Sequence, residues 1–180
     1  MKKKVLIISS TPRKHGNSEA LCDSFLKGAQ EAGHEVTKIA LRDYKINYCI
    51  GCEQCSLHHK PCPQKDDAAA IIEQIVNADV IVMATPVYFY AMSAQMKTLI
   101  DRCCGRYTEM SDKAFYFLAT AAEEDPAIME RIVTNFKGFL DCLDGPEIKG
   151  SVFCGGVWHT GEIAERPELE QAYQMGLSIN

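Results

Sequence analysis

The stretch Val5–Ser18, VLIISSTPRKHGNS, constrains this chain more than any other. Val5, Leu6, Ile7 and Ile8 form an uninterrupted apolar run, the pattern of a strand buried on both faces rather than one that alternates between core and water. Immediately after Ile8 the chain turns polar. Ser9 and Thr11 bring hydroxyls, Arg13 a cation, and Gly16 and Asn17 turn chemistry, before a helical periodicity begins near Ser18. Hydroxyls, backbone N–H groups and the positive end of a helix dipole together suit an anion such as phosphate. Ser, Asn and Gly also favour an ordinary strand-to-helix turn, and the residues of this stretch leave both readings open.

A second continuous apolar run, Val80–Ala84, belongs near the centre of a parallel sheet. Around these two runs the periodicity predicts strands at 36–41, 114–120 and 151–154 and helices at 18–32, 93–103 and 168–176. It adds a helix capped by Asp66 or Asp67 and one begun at Pro126. Asn17 is expected to cap the first helix, which Gly33 ends. Strands alternating with helices predict an α/β three-layer sandwich, a five-stranded parallel sheet with right-handed crossovers and helices on both faces. Ligands of such sheets bind beyond the carboxyl ends of the strands, where the strand order reverses. That rule gathers residues 9–17, 85–92, 119–125 and 155–161 in one place.

With 180 residues, one domain spanning 1–180 is expected, with the segment 42–65 as a cysteine-rich insertion too long for a plain connection. A net charge of −5 and the lack of a basic stripe argue against nucleic-acid partners. No apolar run reaches the ~18–20 residues of a membrane span, and the polar Ser9–Lys14 interrupts any signal-peptide pattern, so a cytoplasmic protein is expected.

The first loop contains neither G-x-x-x-x-G-K-[ST] nor G-x-G-x-x-G, which argues against nucleoside triphosphates and tightly held dinucleotides and favours a single terminal phosphate. The exit of the central strand, Thr85-Pro86-Val87-Tyr88-Phe89-Tyr90-Ala91-Met92, offers flat apolar surface for a planar ring. Core or interface packing would use the same aromatics. A phosphate joined to a ring at the switch point describes FMN.

Nine cysteines are many and odd in number, unlike a closed disulfide framework. Cys22, Cys103, Cys104, Cys142 and Cys154 are scattered and read as small buried hydrophobes. Cys49, Cys52, Cys55 and Cys62-Pro63 instead form C-x2-C-x2-C-x6-C-P, close to ferredoxin spacing and suited to a [4Fe-4S] cluster. A four-thiolate zinc site, with His58 and His59 as spare ligands, and a loop without metal are the competing readings.

Thr11–Ser18 together with Thr85–Phe89 and Met92–Lys97 resembles the NADPH-dependent FMN reductase and iron-sulfur flavoprotein family of flavodoxin-like proteins over essentially the whole chain. The resemblance implies the sheet order 2-1-3-4-5. It further implies an FMN phosphate held by Thr11, Arg13, Asn17 and Ser18 with Ser9 at the loop's start, a ring lined by Thr85, Pro86, Val87, Tyr88 and Phe89, and Thr120 near the ribityl chain or ring edge. Where many relatives carry Gly, this chain has Tyr90. The expected activity passes electrons from NAD(P)H or a ferredoxin through FMN, which carries the chemistry, to a small-molecule or Fe–S acceptor in a homodimer or homotetramer. The same features would serve a non-catalytic FMN/Fe–S electron carrier, and a zinc-stapled interaction module without flavin is the reading from a third class.

Overall fold

The structure, a computed structural model, describes residues 1–180. The elements run β1 (Lys4–Ser9), α1 (Asn17–Glu31), β2 (Glu35–Ala40), α2 (Ala68–Asn77), β3 (Val80–Tyr88), β4 (Ala91–Met92), α3 (Ala94–Arg102), β5 (Ala114–Thr120), α4 (Ala127–Leu140), β6 (Glu147–Cys154) and α5 (Glu168–Leu177). Five strands are parallel in the order β2-β1-β3-β5-β6, and β4 pairs antiparallel with the end of β3. Counting only the parallel strands, this is the flavodoxin-like order that the sequence resemblance implies. The short β4 is the addition.

Period-two alternation divides the core into two layers. Leu6 and Ile8 of β1, Ile81 and Met83 of β3, and Phe115 and Phe117 of β5 face the apolar stripes of α2, α3 and α4. Val5 and Ile7, Val80 and Val82, and Tyr116 and Leu118 face Leu21, Phe25 and Ala29 of α1 and Ala172 of α5. Phe117 stacks on Phe136 of α4 with ring centroids 4.6 Å apart and planes within 3°. No helix is long and apolar enough to cross a membrane.

On the second layer α1 and α5 pack backbone to backbone. A Cβ added to Gly28 would stand 2.1 Å from the Tyr173 carbonyl oxygen, and one on Gly176 would stand 2.2 Å from that of Phe25. Two glycines facing each other let the helices approach closer than side chains normally permit.

Several boundaries differ from the sequence expectation for identifiable reasons. The strand expected at 80–84 continues to Tyr88, because the ladder to β5 persists as far as Pro86 opposite Thr120 and the hairpin with β4 extends it further. β6 begins at Glu147 rather than Ser151, since edge residues exposed to water still complete the ladder to β5. Asn17 does not cap α1. It is already helical, Gly16 takes the capping position, and the Asn17 side chain is engaged elsewhere.

Candidate cofactor site

A cleft opens at the carboxyl edge of the sheet between β1 and β3, where the strand order reverses. It draws residues from all four carboxyl-edge loops: Thr11 to Ser18, Pro86 to Tyr88, Thr120 to Ala122, and Val157 with Trp158. The lining contains one cation, Arg13, and no carboxylate.

The loop after β1 is shaped from within. Thr11 Oγ1 accepts the Arg13 amide at 3.3 Å, and His15, at φ +56°, donates its amide to Glu19 Oε2 at 2.7 Å. Glu19 in turn accepts Arg42 Nη2 at 2.7 Å and faces Lys38 at 3.7 Å. Burial works to raise the Glu19 carboxyl. The Arg42 hydrogen bond, the His15 amide and the two cationic charges outweigh it and hold the carboxyl below its usual range. The amides of Asn17 and Ser18 lie in the first turn of α1, where no intrahelical acceptor precedes them.

Not every candidate side chain is free to meet a ligand. Arg13 reaches across the cleft and donates to the Trp158 carbonyl at 2.6 Å. The Asn17 amide donates to the His159 carbonyl at 2.8 Å and accepts from Gly161 N at 3.1 Å, fixing the last loop to the first turn of α1. Ser18 Oγ and Thr120 Oγ1 are 2.6 Å apart and share a hydrogen bond. Ser9 is fully buried beside Cys22 and does not line the cleft. Thr85 is equally buried, donating to the Pro86 carbonyl and accepting from Ser93 N, both at 2.9 Å. It supports the wall without lining it. Phe89 stands at the tip of the β3–β4 hairpin, wholly exposed and outside the lining.

Residues that sequence reasoning passed over hold the walls together. Ser93 donates to Ser10 Oγ at 2.8 Å, and Ser10 donates to the Ala84 carbonyl at 3.0 Å. This buried chain of hydroxyls ties the ends of β1 and β3 to the start of α3. Trp158, the chain's single tryptophan, lines the cleft while remaining mostly exposed. Its loop is formed by Glu162, whose Oε2 accepts the Trp158 and His159 amides at 2.6 and 2.9 Å. Those amides hold the Glu162 carboxyl below its usual range.

The hairpin between β3 and β4 turns through Phe89 and Tyr90, both at positive φ, +49° and +62°. A two-residue turn with both φ positive is the type I′ geometry, which favours Asn-Gly and strains bulky side chains. The Arg131 guanidinium lies 5.0 Å from the Tyr90 ring centroid and offsets part of that strain. Replacing Phe89-Tyr90 with Asn-Gly is expected to stabilise the fold by about 1–2 kcal/mol, measured as a rise in the urea midpoint at unchanged slope. An unchanged or lowered midpoint would mean the aromatic turn is held by packing that outweighs its backbone strain.

The cysteine loop is a second structured region. From Tyr44 to Asp67 the chain has neither helix nor strand, and its longest run of turn is 54–58. Its two stems are stitched together. Asp66 Oδ2 accepts Asn47 N at 2.9 Å, Asp67 Oδ2 accepts Lys45 N at 2.7 Å, and Gln64 donates to the Tyr48 carbonyl at 3.1 Å. Arg102 of α3 pairs with both Asp66 oxygens at 2.6 and 3.1 Å and donates to the Asn47 carbonyl at 2.8 Å and Cys62 Sγ at 3.4 Å. Burial would raise the Asp66 carboxyl, but the Arg102 hydrogen bonds, the Asn47 and Ala68 amides and the Arg102 charge hold it below its usual range.

Cys49, Cys52, Cys55 and Cys62 line one hollow of about 310 Å³ under this loop. As the side chains stand, no three Cys, His, Asp or Glu groups converge to hold a metal ion. His58 and His59 lie outside the hollow, whereas Cys104 lies inside it. Cys104 and Cys142 are exposed, unlike the buried Cys22, Cys103 and Cys154, so the reading of all five scattered cysteines as buried fails at two positions. For Cys104 the reason is helical geometry: adjacent residues point in different directions, and Cys103 takes the inward one. Burial in the hollow and then its neighbour Cys55, ahead of Cys49, push the Cys104 thiol up.

The model of the NADPH-dependent FMN reductase family matches residues 3–156. The chain belongs to that family. The chain is also 40% identical over 99 residues to an iron-sulfur flavoprotein of Archaeoglobus fulgidus, a match covering 55% of this chain and 44% of the relative. It is 42% identical over 99 residues to an iron-sulfur flavoprotein of Methanocaldococcus jannaschii, covering 55% and 51%. The matches thus span about half the length of these relatives. Among solved structures, an NAD(P)H:quinone oxidoreductase from Methanothermobacter marburgensis superposes with a TM-score of 0.80 at 19% identity, covering 98% of this chain and 96% of that one. An azoreductase from Bacillus anthracis does so with 0.74 at 20% identity, covering 99% and 100%. At these identities the likeness is one of fold.

Proposed function

We propose that this family member is a single-domain FMN oxidoreductase that takes electrons from NAD(P)H and delivers them to a small-molecule or Fe–S acceptor. The observation that carries the reading is the cleft itself, with a lone cation and the first turn of α1 at one end and Pro86, Val87, Tyr88 and Trp158 at the other. A dianionic phosphate meets no opposing carboxylate there, and a planar ring meets apolar wall. The residues present therefore fit FMN. Thr11, Arg13, Ser18 and the free amides of α1 would hold the phosphate, and Pro86, Val87 and Tyr88 the ring. FMN supplies the hydride acceptance and electron relay that no side chain of the cleft can provide.

What the chain contributes is orientation and exclusion of water. Asn17 keeps the 155–161 loop against the phosphate end, and the Ser10–Ser93–Thr85 hydroxyls fix the ring wall relative to the phosphate loop. For an anion to use Arg13, the guanidinium must exchange the Trp158 carbonyl for phosphate oxygens. That exchange replaces a neutral acceptor with a charged one, which is favourable. Tyr88 and Trp158 line the cleft and stay exposed, and Phe89 and Tyr90 are exposed on the adjoining hairpin; a second copy of the chain in a homodimer or homotetramer would cover these rings. The four loop cysteines supply an all-thiolate donor set of the chemistry a [4Fe-4S] cluster takes, which would have to converge to hold it, and a bound cluster would relay single electrons to a partner such as a ferredoxin. Cytoplasmic residence belongs to the same proposal, since thiolates that hold a cluster persist where thiols are kept reduced.

Arg13→Ala is expected to weaken FMN binding roughly 10- to 100-fold, the loss of a charge-assisted pair worth about 1.5–3 kcal/mol, measured by flavin fluorescence titration. Unchanged affinity would remove Arg13 from the phosphate site. In stopped-flow experiments on the FMN-loaded protein, NADPH or NADH should bleach the flavin absorbance within the enzyme's turnover time. Bleaching by reduced ferredoxin alone would identify a carrier instead, and a protein that retains no flavin would sink the whole reading.

A further inference from the structure

The hollow under the cysteine loop holds one thiol more than a four-thiolate site requires. Cys104 lies just past α3, on a different element from the loop, yet it shares the hollow with Cys49, Cys52, Cys55 and Cys62. Gly105, the residue after Cys104, packs closely on Cys55. A methyl group on Gly105 would stand 2.8 Å from Cys55 Cβ and 3.5 Å from its Sγ, so the 103–105 turn presents bare backbone where Cys55 packs. Cys62, by contrast, is turned toward Arg102. Cys55 and Cys104 are both uncombined and both reached by solvent.

We propose that Cys55 and Cys104 form a reversible disulfide in the cluster-free protein, and that this bond blocks assembly of the cluster by removing one of its four loop thiols. The blocking role rests on the cluster reading of the loop, whereas the bond itself does not. The oxidant is a low-molecular-weight disulfide such as oxidised glutathione. A thiolate of the pair attacks it, forming a mixed disulfide and releasing one glutathione thiolate. The second thiol of the pair, losing its proton, then displaces the other glutathione. One S–S bond breaks and one forms, two protein S–H bonds are lost, and the two electrons and two protons leave on two molecules of glutathione. Closing this bond joins the loop to the end of α3, a long-range link that restricts the loop as well as consuming Cys55.

The test uses the FMN-reconstituted full chain freed of metal by chelation and incubated with oxidised or reduced glutathione. Free thiols are alkylated and the protein is mapped by mass spectrometry without reduction. The Cys55–Cys104 peptide pair should dominate in the oxidised sample and be absent from Cys104→Ser. In anaerobic reconstitution with iron and sulfide, oxidised wild type should take up about ten-fold less iron than reduced wild type, and oxidised Cys104→Ser should load as reduced wild type does. Flavin content, read in the same samples, reports that each is folded. A dominant linkage elsewhere, or only glutathione adducts spread over the loop, would overturn the proposal, as would oxidised Cys104→Ser blocked as fully as wild type. If the linkage is found but neither reduced protein takes up iron, the cluster reading fails while the Cys55–Cys104 bond stands.

Discussion

Asp66→Ala is expected to cost about 3–5 kcal/mol of folding stability, an effect out of proportion to a single side chain next to a surface loop. The carboxylate is fully buried and Arg102 nearly so, with 0% and 3% of their side chains exposed. Removing one charge of such a pair leaves the other desolvated and unpaired. Asp66 does more than neutralise Arg102, since its oxygens also accept the Asn47 and Ala68 amides and so join the two stems of the cysteine loop to the start of α2. The loss should appear as a fall of roughly 6–20 °C in melting temperature for a chain of this size. Asp66→Asn, which keeps one acceptor oxygen but not the charge, should fall between. Replacing both partners, Asp66→Leu with Arg102→Met, should recover much of the loss, because two apolar groups leave no stranded charge. A single-variant loss below about 1 kcal/mol would show that water reaches the pair and that the loop is not anchored through it.

The same carboxylate sets a pH window. Folding depresses its pKa, so its contribution is fully present above the unfolded value near 3.9 and is lost as pH falls through the folded value. Glu19, also depressed, behaves alike below about 4.3 and acts on the phosphate loop rather than the cysteine loop. Neither group alters stability near neutrality.

Legibility in the sequence tracks the range of the interactions. Val5–Ile8 and Val80–Ala84 identify themselves as buried strands because the signal lies in consecutive residues, and Ser93 sits where a cap should be and accepts the Met96 amide. The Ser10–Ser93 hydrogen bond joins residues 83 positions apart, and no local pattern announces it. Asn17 was legible as a polar residue at a helix start. Its actual partners, His159 and Gly161, lie more than 140 positions away, and they outcompete the local capping role. The Phe89-Tyr90 turn could not be foreseen because it breaks the residue preference of its own turn type, and the loop expected at 85–92 became a hairpin. Cys104 was legible in hindsight, since adjacent cysteines at a helix end cannot both face the core.

Gly28→Ala should destabilise the fold by about 3 kcal/mol, the upper end for overpacking, even though alanine is the better helix former by about 1 kcal/mol. The obstacle is the Tyr173 carbonyl oxygen, 2.1 Å from the new methyl, and the helix backbone cannot rotate away as a side chain would. Either α1 and α5 separate, losing the packing of Phe25, Ala29 and Ala172, or both helices bend. Gly138 of α4 provides the matched control, with nothing within 4 Å of its added Cβ. There the same substitution should stabilise by about 0.5–1 kcal/mol, so one chemical change is expected to act with opposite signs on two helices. Chemical denaturation of the two variants decides the matter, and equal shifts for both would mean the α1–α5 approach is looser than described. Gly28 lies roughly three turns along α1 from Asn17 and Ser18. Flavin affinity of the folded Gly28→Ala protein should therefore stay within about two-fold of wild type, because the strain falls on the helix–helix contact while the first turn of α1 stays tied to the last loop by Asn17 and to β5 by Ser18.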